Sequence, residues 1–169
     1  MATTAINMAN WPRRETLELF RRFQKPQYAV TARVDVTKIL IRRADDETFS
    51  SYLACVHAIG VALHAVPELG MRIRGDQLVQ HDRIVLSPTV QFDDGRLGFT
   101  YLDWQPDADS FAAQSRLVIA DTLAGGTIKP GVDGDDGVAF LSCQPWLDFT
   151  AFDNPVFDRG DSIPRGCWG

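Results

Sequence analysis

The chain has 169 residues, 45% of them hydrophobic and 23% charged, enough for one compact domain with a real core and unlike a disordered or fibrous composition. Seventeen Lys and Arg against twenty-two Asp and Glu give a formal charge of -5. That balance supplies no basic field for phosphate backbones or anionic lipid, so neither nucleic acid nor membrane is an expected partner.

Asn10-Trp11-Pro12 reads as a helix start, and Leu17, Phe20 and Phe23 recur at helical spacing, which predicts a helix over about 12–24. Tyr28, Val30, Ala32, Val34 and Val36 alternate with polar or small residues and predict a strand with one apolar face. Thr37 to Arg43 is expected to form a short helix. The acidic cluster Asp45-Asp46-Glu47-Thr48 suits the positive N-terminal end of a longer one. Phe49, Tyr52, Leu53, Val56, Ile59, Leu63 and Val66 supply the buried face of that helix, and Pro67 stops it.

From Met71 to Trp104 the pattern changes to short β-rich runs broken at Gly75-Asp76, Ser87-Pro88 and Asp93-Asp94-Gly95. Asp-Gly between the runs Ile84–Phe92 and Leu97–Trp104 is a hairpin signal. Asp109-Ser110 is expected to cap a helix that runs to about Leu123 and ends at Gly125-Gly126. A Gly- and Asp-rich loop spans 125–137, a strand covers Val138 to Ser142, 148–160 is irregular, and a last strand covers Ser162 to Trp168. This order predicts a single α/β (α+β) two-layer sandwich over 1–169, not a doubly wound fold. There is no GxGxxG and no P-loop.

The stretch Tyr52 to Val66 is interrupted by His57 and His64 and falls short of the roughly 18 residues of a membrane span. The first ten residues lack the pattern of a secretory signal. Cys55, Cys143 and Cys167 form no CxxC and read as buried thiols, so the expected location is the reducing cytoplasm.

His57 and His64, seven residues apart on one helix, are separated by roughly 10 Å of rise and cannot share one zinc ion. They read as helix histidines satisfied by local hydrogen bonds, and His81, after a short strand, reads as exposed. Asp133, Asp135 and Asp136 lack the closing Glu of an EF-hand and read as a solvated turn, so no metal is expected. Arg74-Gly75-Asp76 reads as a chance tripeptide in a turn. Ser142 is the residue of interest: a hydroxyl at a strand end can stabilise a developing oxyanion, and Trp146 can wall a pocket beside it. Cys143 is turned by strand alternation to the opposite face.

Several segments, in order, resemble chloramphenicol acetyltransferase. Asn10-Trp11-Pro12-Arg13-Arg14-Glu15 resembles the family's opening Asn-Trp-x-Arg-Arg/Lys-Glu, and the strand Thr31 to Val36, followed by Thr37, its first strand. Pro67-Glu68-Leu69-Gly70-Met71-Arg72 with Gly75-Asp76-Gln77-Leu78-Val79 resembles its Pro-Glu-x-x-Met stretch and the Asp-Gly/Asp-Glu-Leu segment after it. Leu141-Ser142-Cys143-Gln144-Pro145-Trp146-Leu147-Asp148-Phe149, with Phe152, resembles the Ser-x-x-Pro-Trp-x-x-Phe-x-x-Phe block.

The resemblance implies a mixed sheet with helices on one side, a homotrimer with a small-molecule ligand bound between subunits, and coenzyme A thioester as acyl donor. It places Ser142 on the serine that hydrogen-bonds the oxyanion and Trp146 near the coenzyme A arm. Arg13 falls on an arginine that pairs with a late aspartate to shape the site. Phe20 stands where the family has a tyrosine that helps fix the catalytic imidazole, Phe99 matches an acceptor-pocket aromatic, and Arg165 stands where a threonine helps place a water. The family's His-His-x-x-x-Asp-Gly, with its last strand and closing helix, is absent from the 169 residues. The resulting expectation is a truncated member repurposed to bind or transform a small molecule, for example by cyclisation, with no cofactor. The alternatives are an ordinary O-acyltransferase on a small hydroxylated molecule, its C-terminal segment lying outside this sequence, and a non-catalytic relative.

Overall fold

The computed structural model describes residues 2–126, 136–154 and 162–169. In chain order it contains β1 (Thr3–Ala5), α1 (Arg14–Phe20), α2 (Thr37–Asp45), α3 (Ser51–Ala65), β2 (Met71–Arg74), β3 (Gln77–His81), β4 (Val85–Gln91), β5 (Leu97–Phe99), β6 (Leu102–Asp103), α4 (Ala108–Gly125), β7 (Val138–Cys143) and β8 (Arg165–Trp168). The larger sheet runs β5-β4-β7-β8, with β6 also on β4. β4, β7 and β8 are mutually parallel, whereas β5 and β6 lie antiparallel to β4. A smaller antiparallel sheet has the order β1-β3-β2.

One face of the larger sheet is covered by helices. Leu53, Val56 and Leu63 of α3 and Phe111 of α4 pack on Leu86, Leu102, Ala139 and Leu141. Val56, Leu86 and Phe111 are completely buried, and burial of each such side chain contributes roughly 1.5–3 kcal/mol. This is the two-layer α/β arrangement expected from the element order, with four α-helices among the described residues.

Local signals account for several of the element ends. Ser50 caps α3 through a hydrogen bond from the Leu53 N–H (3.2 Å), and Asp107 caps α4 through one from Ser110 (2.8 Å). Gly126 closes α4 at φ 61°, a left-handed conformation that glycine adopts without strain. Gly75 (φ 59°) and Gly95 (φ 83°) serve the two hairpin turns in the same way.

Several expectations are corrected. The acidic cluster does not open α3, because Asp45 ends α2 and Asp46 accepts from Thr48 in the intervening turn. The cap of α4 is Asp107, not Asp109. The helix expected over 12–24 is shorter, ending at Phe20. Ser87-Pro88 is no turn but the middle of β4, with Pro88 opposite Leu141. Its carbonyl accepts from both the N–H and the hydroxyl of Thr100 in the gap between β5 and β6, so the ladder is bridged there. The strand expected over 28–36 does not form, and Tyr28, Val30 and Val34 are 87%, 79% and 77% exposed. Alternation decides which side chains share a face, but a strand needs a hydrogen-bonded neighbour, and neither sheet lends this segment an edge. β1, in the first ten residues, has no counterpart among the expected elements.

Candidate active site

Period-two alternation divides β7 between two environments. Ala139 and Leu141 face the helices and belong to the core, and Cys143 follows them in phase. Phe140 and Ser142 therefore face the opposite side of the sheet, where both are half-buried. The neighbouring strands bring matching residues to that side. Phe99 of β5 meets Phe140 edge to face, with ring centroids 5.8 Å apart, and the Arg165 guanidinium lies 6.0 Å from the Phe140 ring centre. Arg165 Nη1 also donates to the Ile163 carbonyl (3.0 Å). Ser142, Phe99 and Arg165, far apart in the sequence, thus share one face of the sheet.

The parallel pairing of β7 and β8 adds a residue that sequence reasoning missed. Ser142 stands directly opposite Cys167, while Arg165 is opposite Phe140, one step further down the same face. Cys167 is the immediate cross-strand neighbour of the Ser142 hydroxyl. Burial raises its thiol above the ordinary value, so at neutral pH it is a half-buried thiol, not a thiolate. Only the register of two strands distant in sequence shows this adjacency. Cys143, opposite Trp168, lies on the helix side as alternation required. Burial and the nearby Cys55 and Cys167 push it up to about 11, which argues against a nucleophilic role.

The other site residues predicted from sequence lie elsewhere. Trp146, 69% exposed, follows β7 on a turn closed by the Leu147 N–H and the Gln144 carbonyl (2.9 Å). Phe20, at the end of α1, packs edge to face against Phe23 at 5.4 Å. Arg13 precedes α1 and pairs with Glu68 at 3.1 Å, both side chains well exposed. A cleft of about 570 Å³ opens between 25–31 and 151–153, with the Lys25–Asp153 ion pair (2.6 Å) across it.

None of the three histidines lies on the Ser142 face. His57 Nε2 contacts the Gln105 carbonyl at 3.0 Å. His64 Nδ1–H donates to the Gly60 carbonyl (2.8 Å), and its Nε2 accepts from the Ile84 N–H (3.2 Å), which commits both ring nitrogens. His81 is not exposed: its side chain is 2% accessible, because β1 pairs along β3 with Thr3 opposite His81. Its Nε2 lies 2.7 Å from Asp136. Asp136 is not a solvated turn residue either. Arg74 grips both of its oxygens (2.6 and 2.9 Å), and these bonds with His81 hold its carboxyl at about 2. Arg72, fully buried, donates to the carbonyls of Asp136 and Val138 and so ties the small sheet to the start of β7. Asp133 and Asp135 lie outside the described residues. Among the described residues no cluster of His, Cys, Asp or Glu is arranged to hold a metal ion.

Comparison with known proteins agrees with this geometry. The family model "Chloramphenicol acetyltransferase" matches residues 1–164. Chloramphenicol acetyltransferase 3 of Escherichia coli is 26% identical over 163 residues, covering 95% of this chain and 76% of the relative. A chloramphenicol acetyltransferase of Klebsiella sp is 26% identical over 175 residues, covering 96% and 78%. A solved chloramphenicol acetyltransferase structure superposes with a TM-score of 0.84 at 27% identity, covering 98% of this chain and 82% of that one.

Proposed function

Because the chain belongs to the chloramphenicol acetyltransferase family, we propose that it takes part in transfer of an acyl group from a coenzyme A thioester to the hydroxyl of a small molecule. The observation that carries this reading is the placement of Ser142 on the face of the sheet opposite the α3 and α4 core, beside the Phe99–Phe140 pair. There its hydroxyl can donate to the oxygen of the acyl carbonyl as negative charge develops on it, and the aromatic pair offers an apolar wall for the acceptor. Coenzyme A thioester is a substrate on this reading and supplies the activated acyl carbon. The acceptor hydroxyl also needs a base. His57, His64 and His81 lie away from Ser142 within one subunit. Exposed Tyr28, Val30 and Val34 support a homotrimer in which a neighbouring subunit covers them. The three free cysteines suit the cytoplasm, and among the described residues no helix is long and apolar enough to cross a membrane.

The placement of the histidines favours one second reading, a pocket repurposed to bind or cyclise a small molecule without acyl transfer. Calorimetric titration with coenzyme A, followed by thiol release from acetyl-CoA in the presence of hydroxylated acceptors, separates the two. Saturable coenzyme A binding with acceptor-dependent release that Ser142→Ala slows about 10²–10³-fold is the expected result. Absence of coenzyme A binding would replace acyl transfer with the second reading.

A further inference from the structure

On the helix side of the larger sheet, away from Ser142, a cavity of about 220 Å³ opens between α3, α4 and the end of α2. Small residues create it: Ala54 of α3 and Ala112 and Ala113 of α4 stand where longer side chains would close the gap, and the buried Leu53 adds apolar surface. Four charged side chains line the same space. Two of them satisfy each other, since Arg42 Nη2 lies 3.5 Å from Asp109, with the Arg42 guanidinium 4.5 Å from the Phe49 ring centre. The other two do not. Arg116 Nη2 donates to the Thr48 carbonyl (2.6 Å), its one side-chain polar contact among the described residues. Asp46 Oδ1 accepts from the N–H and the hydroxyl of the same Thr48 (2.8 and 2.6 Å). These bonds hold the Asp46 carboxyl below its ordinary value, so it is ionised at neutral pH. A guanidinium and a carboxylate thus hold one residue from two sides without pairing with each other.

We propose that this cavity is a binding site for a free α-amino acid with an aliphatic side chain. The ligand's carboxylate meets Arg116, its ammonium meets Asp46, and its side chain lies against Leu53 and the three alanines. An anion alone would answer Arg116 and face the Asp46 carboxylate, and a cation alone would meet the reverse. An α-amino acid carries both charges on one carbon, so it complements the two unpaired groups that flank Thr48. The volume limits its size. At roughly 30 Å³ per water the cavity has room for about seven waters, which suits leucine and excludes a nucleotide. This site draws nothing from the acyl-transfer reading, because none of its residues lies on the Ser142 face.

The test is calorimetric titration of the full chain with L-leucine, with 4-methylpentanoate, which lacks the amino group, and with 3-methylbutan-1-amine, which lacks the carboxylate. Leucine is expected to bind saturably at one site, about tenfold or more tightly than either analogue, the scale of one charge-assisted hydrogen bond. Asp46→Asn, which keeps an oxygen for Thr48, should remove the advantage of leucine over 4-methylpentanoate. Arg116→Gln should remove its advantage over the amine. Ala113→Leu fills the cavity without touching a charge and should abolish binding. No leucine binding, equal binding of the three probes, a preference that survives both charge substitutions, or undiminished binding in Ala113→Leu would overturn the proposal. The three-probe comparison on the unaltered chain decides the matter even where a variant fails to fold.

Discussion

Gly60, buried in the middle of α3, offers a direct test of how tightly the helix layer is packed. A Cβ at this position would lie 2.1 Å from Trp104 Cδ1, 2.6 Å from Nε1 and 2.9 Å from Cγ. The indole has little freedom to retreat. It stacks on His64 with ring centroids 4.3 Å apart, and its Nε1–H donates to the His57 carbonyl at 3.3 Å. Two effects oppose each other in Gly60→Ala. Alanine in a helix interior is favoured over glycine by about 1 kcal/mol, while forcing a methyl into a filled site costs about 1–3 kcal/mol. Losing the indole hydrogen bond adds about 1 kcal/mol more. The net expectation is destabilisation of about 1–3 kcal/mol, or a fall in Tm of roughly 2–4 °C per kcal/mol for a chain of this size. Urea unfolding followed by tryptophan fluorescence measures it. Repeating the substitution in a Trp104→Ala background removes the clash, so there Gly60→Ala should be neutral or stabilising. An unchanged or raised midpoint for Gly60→Ala with Trp104 present would refute the packing argument.

Three further outcomes rest on particular contacts. Ser142→Ala should lower the acyl-transfer rate constant about 10²–10³-fold while coenzyme A affinity holds, as expected for loss of one oxyanion donor; a variant as fast as the parent would remove Ser142 from the chemistry. Asp136, held at about 2 against an ordinary 3.8 by Arg74 and His81, contributes stability that is fully present above about pH 4 and disappears as the pH falls towards 2. After allowance for solvent screening this amounts to about 1–2 kcal/mol. In Asp136→Asn the acid limb of the stability curve should flatten, and an acid limb identical to wild type would contradict the assignment. Tyr52→Phe removes the hydroxyl that donates to the Thr89 carbonyl (3.0 Å). It should cost about 1 kcal/mol in chemical denaturation, and a gain in stability would show that bond to be dispensable.

Local chemistry and the order of elements were legible in the amino-acid sequence. Helical periodicity in 49–66 marked the core face of α3, with Leu53, Val56 and Leu63 buried as expected. Gly75, Gly95 and Gly126 marked turns that need positive φ. The Ser142 block carried the family likeness, and alternation alone placed Cys143 on the face away from Ser142. Each of these depends on residues a few positions apart, where propensity and spacing act directly. Strand pairing is different, because a residue's hydrogen-bonded neighbour lies at arbitrary separation along the chain. The pairing of β7 with β8 makes Cys167, not Arg165, the direct neighbour of Ser142. β1 buries His81, and Arg74 and His81 then claim Asp136. The same rule left Tyr28 to Val36, for all its alternation, without a ladder. These points waited on the folded chain because a strand's period says which way a side chain faces, and only its partner says what it meets.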